Sequence, residues 1–280
     1  MRFFRFIGYF SSLRALIGFR AACTFTIVHM RNKVFPPRER RLAHVPVGSY
    51  VFYFPSLSYF EGLFTEIFFK ETYYLSQTNK PILVIDCGAN IGVSLLYIKT
   101  RAPYARVICF EPNPAARAVL EKNIEKNGWV GEVNVFPYAL GKAKGTVDFF
   151  VDVADETSSG GSVAHFLKKK NQKFNSYTVE VDTLSGYIDG HVDFLKIDIE
   201  GSEFDVLEEL ASRQKLQHIA AIQLEYHYMP KFFTRPLSEI LVLLESEGFT
   251  TFVESNTPSH AIVGYDTSHT YMIFAWRSLL

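Results

Sequence analysis

The chain has 280 residues, enough to bury one large core with a small appendage, and its 48% hydrophobic and 15% aromatic content excludes a disordered protein. Its formal net charge is zero but unevenly spread. Residues 1–38 carry seven Arg or Lys and no acid, which leaves 22 basic against 29 acidic residues in the rest of the chain, with no basic stripe of the kind a nucleic acid requires.

Residues 1–33 place Phe3, Ile7, Phe10, Leu13, Leu16 and Ile17 on one helical stripe between arginines. Such a basic amphipathic helix can pack on the main domain, pack on a second copy in a homodimer, or make peripheral contact with an anionic membrane. Arg14 and Arg20 interrupt the apolar region, so it does not read as a signal peptide. No stretch qualifies as a membrane-spanning helix, because Pro46, Gly48 and Pro55 punctuate the longest uncharged run. Three cysteines (Cys23, Cys87, Cys109) show no metal spacing, and the odd count disfavours a disulfide framework. These features give an expectation of a cytoplasmic protein, with a membrane-peripheral location left open.

Three regions follow: a basic extension over 1–45, a strand and helix over 46–80, and an α/β domain over 81–280. Val47–Phe54 reads as a strand or hairpin arm and Leu57–Ser76 as a helix whose dense aromatics are packing residues. From Pro81 the rhythm is strand, helix, strand, helix. Strands are predicted at 82–86, 106–110, 133–138, 194–198 and 219–225, with helices at 91–100, 114–127, 203–210 and 236–247. Thr146–Val151 is a further, antiparallel edge strand, and 152–176 reads as a loop that carries His165 and Lys168–Lys170. Strands at 250–254 and 271–276 end the chain as an antiparallel hairpin. The pattern is that of one doubly wound, Rossmann-like sheet.

In such a sheet ligands gather at the carboxyl ends of the strands, which singles out Asp86, Glu111, Asp198 with Glu200, and Glu225 with His227. The turn after the first strand, G-A-N-I-G over 88–92, opens a helix as an anion or nucleoside site does, and Glu111 lies where a carboxylate meets ribose hydroxyls. Asn90 stands where a dinucleotide fingerprint has its second glycine, which disfavours NAD or FAD and leaves a nicotinamide oxidoreductase as the alternative enzyme.

VIDCGANIG (84–92), CFEPNP (109–114), FPYALG (136–141) and FLKIDIEGSEFDVL (194–207) together resemble the motif series of FkbM-type methyltransferases, over about residues 60–230. The resemblance implies a class I methyltransferase fold, S-adenosylmethionine as methyl donor, and transfer usually to a hydroxyl oxygen. It implies that Asp86, Gly88, Ala89, Asn90 and Gly92 border the methionine part of the donor. Glu111 with Pro112 would then sit at the ribose, Tyr138 and Ala139 would flank the adenine, and Asp198 would close the donor site. One departure is Thr183-Leu184-Ser185 where the family commonly has T-L-D, with Asp182 three residues earlier.

An alcohol acceptor must lose a proton, which His, Asp or Glu can take. Lys196, Asp198 and Glu200 alternate along a strand end and are expected on one face; the alternative is a Lys196–Glu200 ion pair with Asp198 capping the next helix. His227 is the candidate base with Glu225 as orienter or alternative base, set against a rim histidine satisfied by backbone. No metal is predicted, although Asp198, Glu200 and Glu225 would hold Mg²⁺ if one were required. The acceptor is expected to be a small molecule or glycan unit; a non-catalytic member that binds a partner or membrane is the reading outside enzymes.

Overall fold

The computed structural model describes residues 42–152, 174–228, 235–255 and 269–277. The basic extension, Cys23, His165 and Lys168–Lys170 lie outside the described residues.

The strand runs from Pro81 onward form one seven-stranded sheet. β3 (Leu83–Cys87), β4 (Arg106–Phe110) and β5 (Val133–Phe136) run outward on one side; β9 (Phe194–Ile197) and β10 (Ala221–Tyr228) run outward on the other, all parallel. The terminal hairpin, β11 (Thr250–Ser255) and β12 (His269–Trp276), inserts β12 antiparallel between β10 and β11. The order β11-β12-β10-β9-β3-β4-β5 is the class I methyltransferase arrangement. The chain reverses direction of travel between β3 and β9, so the ligand crevice belongs at their carboxyl ends.

Both faces are covered, which is why β3 and β9 are buried almost without interruption. On one face lie α2 (Val93–Arg101) and α3 (Pro114–Lys126); on the other lie α4 (Glu203–Ser212) and α5 (Leu237–Ser246). α3 begins with Asn113, whose side chain accepts the Ala115 and Ala116 N–H groups, and with Pro114 at its first position.

Residues 42–80 pack onto the α2/α3 face as part of the same core. The expected strand at 47–54 is a hairpin, β1 (Ala43–Val47) paired with β2 (Tyr50–Phe54). The expected helix is shorter than 57–76: α1 (Leu57–Phe64) continues through a π-helical turn at Thr65–Phe69 and stops. Phe60 and Phe64, where packing was expected of the aromatics, are fully buried, Phe60 stacking on Phe52 and Phe54 and meeting Phe64 at a tilt. The outer side of β2 is not left bare. Asn123 on α3 takes the place of a strand neighbour, accepting the Tyr53 N–H at 2.7 Å and donating to the Tyr53 carbonyl at 3.0 Å and the Ile91 carbonyl at 3.1 Å. Asn127 does the same for Val51. Asn123 is fully buried, so Asn123→Ala strands these backbone groups and is expected to lower unfolding free energy by about 2–4 kcal/mol in urea melts, against under about 1 kcal/mol for an exposed substitution on the same helix such as Lys122→Ala.

The antiparallel strand near 146–151 is β7 (Gly145–Asp152), but it lies in a separate three-stranded sheet, β6-β8-β7, with β6 (Ala139–Leu140) and β8 (Phe174–Asp182). β8 takes in the last three residues of the loop expected over 152–176, whose residues 153–173 lie outside the described residues, and continues as a strand that buries Val179 and Asp182.

Candidate active site

The carboxyl ends of β3 and β9 almost touch. A Cβ added to Gly88 would lie 1.8 Å from the Asp198 carbonyl oxygen, and Gly88 has φ of +86°. Glycine is therefore demanded by the close approach of a neighbouring strand as well as by the turn. Asn90 is also left-handed, with φ of +50°, a conformation Asn tolerates better than most residues. Its side-chain oxygen accepts the Tyr59 hydroxyl at 2.8 Å and the Ile91 N–H at 2.8 Å, tying the turn to α1.

A cleft of about 840 Å³, counted with its solvent-open mouth, lies over this junction. Gly88, Ala89 and Asn90 form its floor, Glu111 and Pro112 one end, and Tyr138 and Ala139 the wall beyond them. Lys196, Asp198 and Glu200 line the opposite end. Asp86 and Gly92 stand behind the lining. Asp86 is fully buried, accepting the Ser94 hydroxyl at 2.5 Å and facing the Lys196 ammonium at 3.0 Å. Gly92 starts α2, packed against Leu120.

Glu111 is held from both oxygens: Oε2 accepts the Asn90 N–H at 2.7 Å and Oε1 the Asn113 N–H at 2.8 Å. Burial pushes its carboxyl up to about 7, and the two N–H groups act against that rise. Its remaining lone pairs suit a vicinal diol.

Lys196 joins the halves of the site. Its side chain is 3% exposed, it donates to the Gly88 carbonyl at 2.8 Å, and its Nζ lies 3.7 Å from Asp198 Oδ2. Burial opposes its charge, but Asp86 and Asp198 outweigh burial and hold it well above the usual lysine range. The strand alternation stops at Ile197: Lys196 pairs with Asp86 and Asp198 instead of Glu200, and Glu200 sits in a turn with φ of +56°. Asp198 does not cap α4, whose N-cap is Ser202.

Glu225 and His227 come from the end of β10 as expected. His227 Nδ1 lies 2.9 Å from Glu203 Oε1; Nε2 lies 3.4 Å from Glu200 Oε2 and 3.9 Å from Glu225 Oε1. Burial works against an imidazolium here, yet Glu203, then Glu200 and Asp198, raise its pKa well above 6.5. Burial first, and then Asp198, raise the Glu225 carboxyl; burial and neighbouring acids likewise raise Glu200.

The appended segment supplies residues that no sequence motif singled out. Leu63 and Ile67 form part of the cleft wall. The Tyr73 hydroxyl, buried, lies 2.9 Å from Asp198 Oδ2 and 3.2 Å from Glu225 Oε2, and its single proton can serve only one at a time. Glu66, on the π turn, has its carboxyl raised by burial and by Asp198. Glu203, fully buried behind His227, was also missed as a partner. Ser185, at the departure from T-L-D, bonds through its hydroxyl and N–H to Glu209, while Asp182 is engaged by Lys144, Tyr187 and the Thr183 N–H.

The methyltransferase FkbM domain family matches residues 86–251, more than half of the chain. "Methyltransferase 1" of Beauveria bassiana is 29% identical over 167 residues, 54% of this chain and 67% of that protein. "Methyltransferase sdnD" of Sordaria araneosa is 27% identical over 173 residues, 52% of this chain and 67% of that one. "2-O-methyltransferase NoeI" of Sinorhizobium fredii is 24% identical over 187 residues, 61% of this chain and 75% of that one. The nicotinamide oxidoreductase alternative falls with this match. Among the described residues no helix is long and apolar enough to cross a membrane. The chain belongs to the FkbM methyltransferase domain family.

Proposed function

We propose that the protein transfers a methyl group from S-adenosylmethionine to a hydroxyl oxygen of a small molecule or glycan unit. The observation that carries the reading is that one continuous cleft runs from the diol-accepting Glu111 to the carboxylates Asp198 and Glu200. The residues present fit the donor: a fixed carboxylate for ribose, Tyr138 and Phe149 as apolar walls for a base, and a floor at Gly88–Asn90 open to a close ligand. The donor supplies a methyl group already activated on a sulfonium. NoeI, named as a 2-O-methyltransferase, supports oxygen as the acceptor atom.

The protein's own task is alignment and removal of the hydroxyl proton. Both ring nitrogens of His227 face carboxylates, Nδ1 Glu203 and Nε2 Glu200, and these acids raise its pKa, so it is poorly placed to take a proton from an acceptor. Glu225, its carboxyl raised towards neutrality by burial, is the base we assign; Tyr73 and Lys196 hold Asp198 beside it. Titrating the full chain calorimetrically with S-adenosylhomocysteine tests the donor half: binding is expected, and none would overturn the proposal. Product release with hydroxylated acceptors tests the rest. Glu225→Gln is expected to keep S-adenosylhomocysteine affinity within about twofold while turnover falls about 10²–10⁴-fold; unchanged turnover removes Glu225 as base.

A further inference from the structure

We propose that Asp198, Glu200 and His227 form a divalent-cation site at the acceptor end of the cleft. The inference rests on the proposed acceptor half of the site and adds to it.

Three donors of two chemical kinds converge from the ends of two strands, with their ligand atoms all within 4.8 Å of one another. Ligands about 2.1–2.3 Å from a common ion stand at separations of this order. The imidazole is presented as a metal-binding histidine is: Nδ1 is fixed on Glu203 Oε1 at 2.9 Å, and Nε2 is turned towards Glu200, 3.4 Å away and outside ordinary hydrogen-bond length. Tyr73 and Lys196 both engage Asp198 through Oδ2, on the side of the phenol and ammonium.

A second observation, separate from the converging ligands, is an unsatisfied carboxylate oxygen behind His227. Glu203 is fully buried; its Oε1 accepts the Gly201 N–H and meets His227, yet its Oε2 has no hydrogen-bond partner. A buried carboxylate oxygen without a partner is costly unless a cation lies near. Lys196 cannot fill the role alone, since its nearest carboxylate oxygen, at 3.0 Å, belongs to Asp86.

Mixed imidazole and carboxylate donors suit Mn²⁺ or a neighbouring transition ion better than Ca²⁺, and Asp198, Glu200 and His227 leave positions for water or an acceptor hydroxyl. The ion takes the Nε2 position that a proton holds in its absence. An acceptor hydroxyl held by such an ion would be more acidic; Glu225 would take its proton while the oxygen lone pair formed the bond to the methyl carbon and the carbon–sulfur bonding pair returned to sulfur. The sequence predicts no metal and offers Asp198, Glu200 and Glu225 only if one were required; in the proposed site His227 stands in place of Glu225.

Mn²⁺ is the probe. The full chain, stripped with chelator, is titrated with Mn²⁺ and the free ion is read by its electron paramagnetic resonance signal. One bound Mn²⁺ per chain is expected in wild type, weakened at least about tenfold in His227→Gln and in Glu200→Gln, and about 10–100-fold in Glu203→Gln. Glu200 has a side chain 21% exposed, so its variant serves if loss of the buried His227 or Glu203 partner prevents folding. S-adenosylhomocysteine affinity of each variant is measured in parallel. No Mn²⁺ binding at millimolar ion with S-adenosylhomocysteine binding intact overturns the cation site alone. Equal Mn²⁺ binding by wild type and Glu200→Gln overturns it too, since the ion then lies elsewhere. Failure of S-adenosylhomocysteine to bind wild type overturns the donor reading instead.

Discussion

Lys196→Met is expected to lower the unfolding free energy by about 3–5 kcal/mol, among the largest single losses available to this chain. The ammonium sits 3.0 Å from Asp86, which is fully buried and has one other side-chain partner, Ser94. Methionine fills most of the volume but leaves that carboxylate charged in a dry interior. It also releases the Gly88 carbonyl and the 3.7 Å contact to Asp198, so the two strand ends lose the clamp that sets the cleft floor. A paired substitution separates charge from packing. Asp86→Asn with Lys196→Met removes both charges and keeps a hydrogen-bonding side chain for Ser94, so it should recover at least about 1–2 kcal/mol of the loss. Urea unfolding of wild type, the single variant and the pair decides the matter. A single variant within about 1 kcal/mol of wild type would mean that the Asp86 carboxylate does not depend on Lys196, and the clamp argument would fail.

Lys196 also illustrates what a sequence can and cannot deliver. The seven-stranded sheet was legible because its central strands, β3 and β4 above all, are largely apolar runs that lead into a polar residue, a local pattern with a topological meaning. Residues at those strand ends do meet in one place: Glu111, Asp198, Glu200, Glu225 and His227 surround a single cleft or stand beside it. Pairing was less legible. Alternation placed Lys196, Asp198 and Glu200 on one face, but the strand ends at Ile197, and the left-handed Glu200 beyond it breaks the alternation. The largest omission was the appended segment. Tyr73 meets Asp198 across 125 residues of sequence and Glu225 across 152, and nothing local separates it from its aromatic neighbours. β8 was hidden for a different reason: its half-exposed alternation is rich in Ser, Thr and Asn, which compositionally resembles loop. The signals that could have found these residues are few. Glu203, three residues beyond Glu200, was discoverable in principle as an acid in the first turn of α4 pointing back at the same strand ends.

Glu111→Ala is expected to weaken S-adenosylhomocysteine binding about 100-fold or more, since two hydroxyl donors to an ionised carboxylate contribute roughly 1.5 kcal/mol or more each. Glu111→Gln should be nearly as damaging, for a reason visible in the fold. Both carboxylate oxygens already accept a backbone N–H, from Asn90 and Asn113, so an amide must aim its NH₂ at one of these donors whichever way it is turned. The usual conservative change is therefore unfavourable for the turn itself, and a fall in affinity of similar size in both variants distinguishes this geometry from a side chain that only accepts hydroxyl protons, for which the glutamine carbonyl oxygen would keep one acceptor and lose less. The same residue sets a pH dependence. Burial pushes its carboxyl up to about 7, and on the proposed reading the ionised form is the one that would accept both ribose hydroxyls. Ligand binding thus favours the charged state: affinity is full well above pH 7 and declines as pH falls through 7, by about tenfold between pH 8 and pH 6. Proton release on binding near pH 7, read from calorimetry in buffers of different ionisation enthalpy, should accompany that profile and vanish in Glu111→Gln. A flat profile in wild type, with release absent, would show that Glu111 is already ionised throughout this range and that burial does not govern its charge.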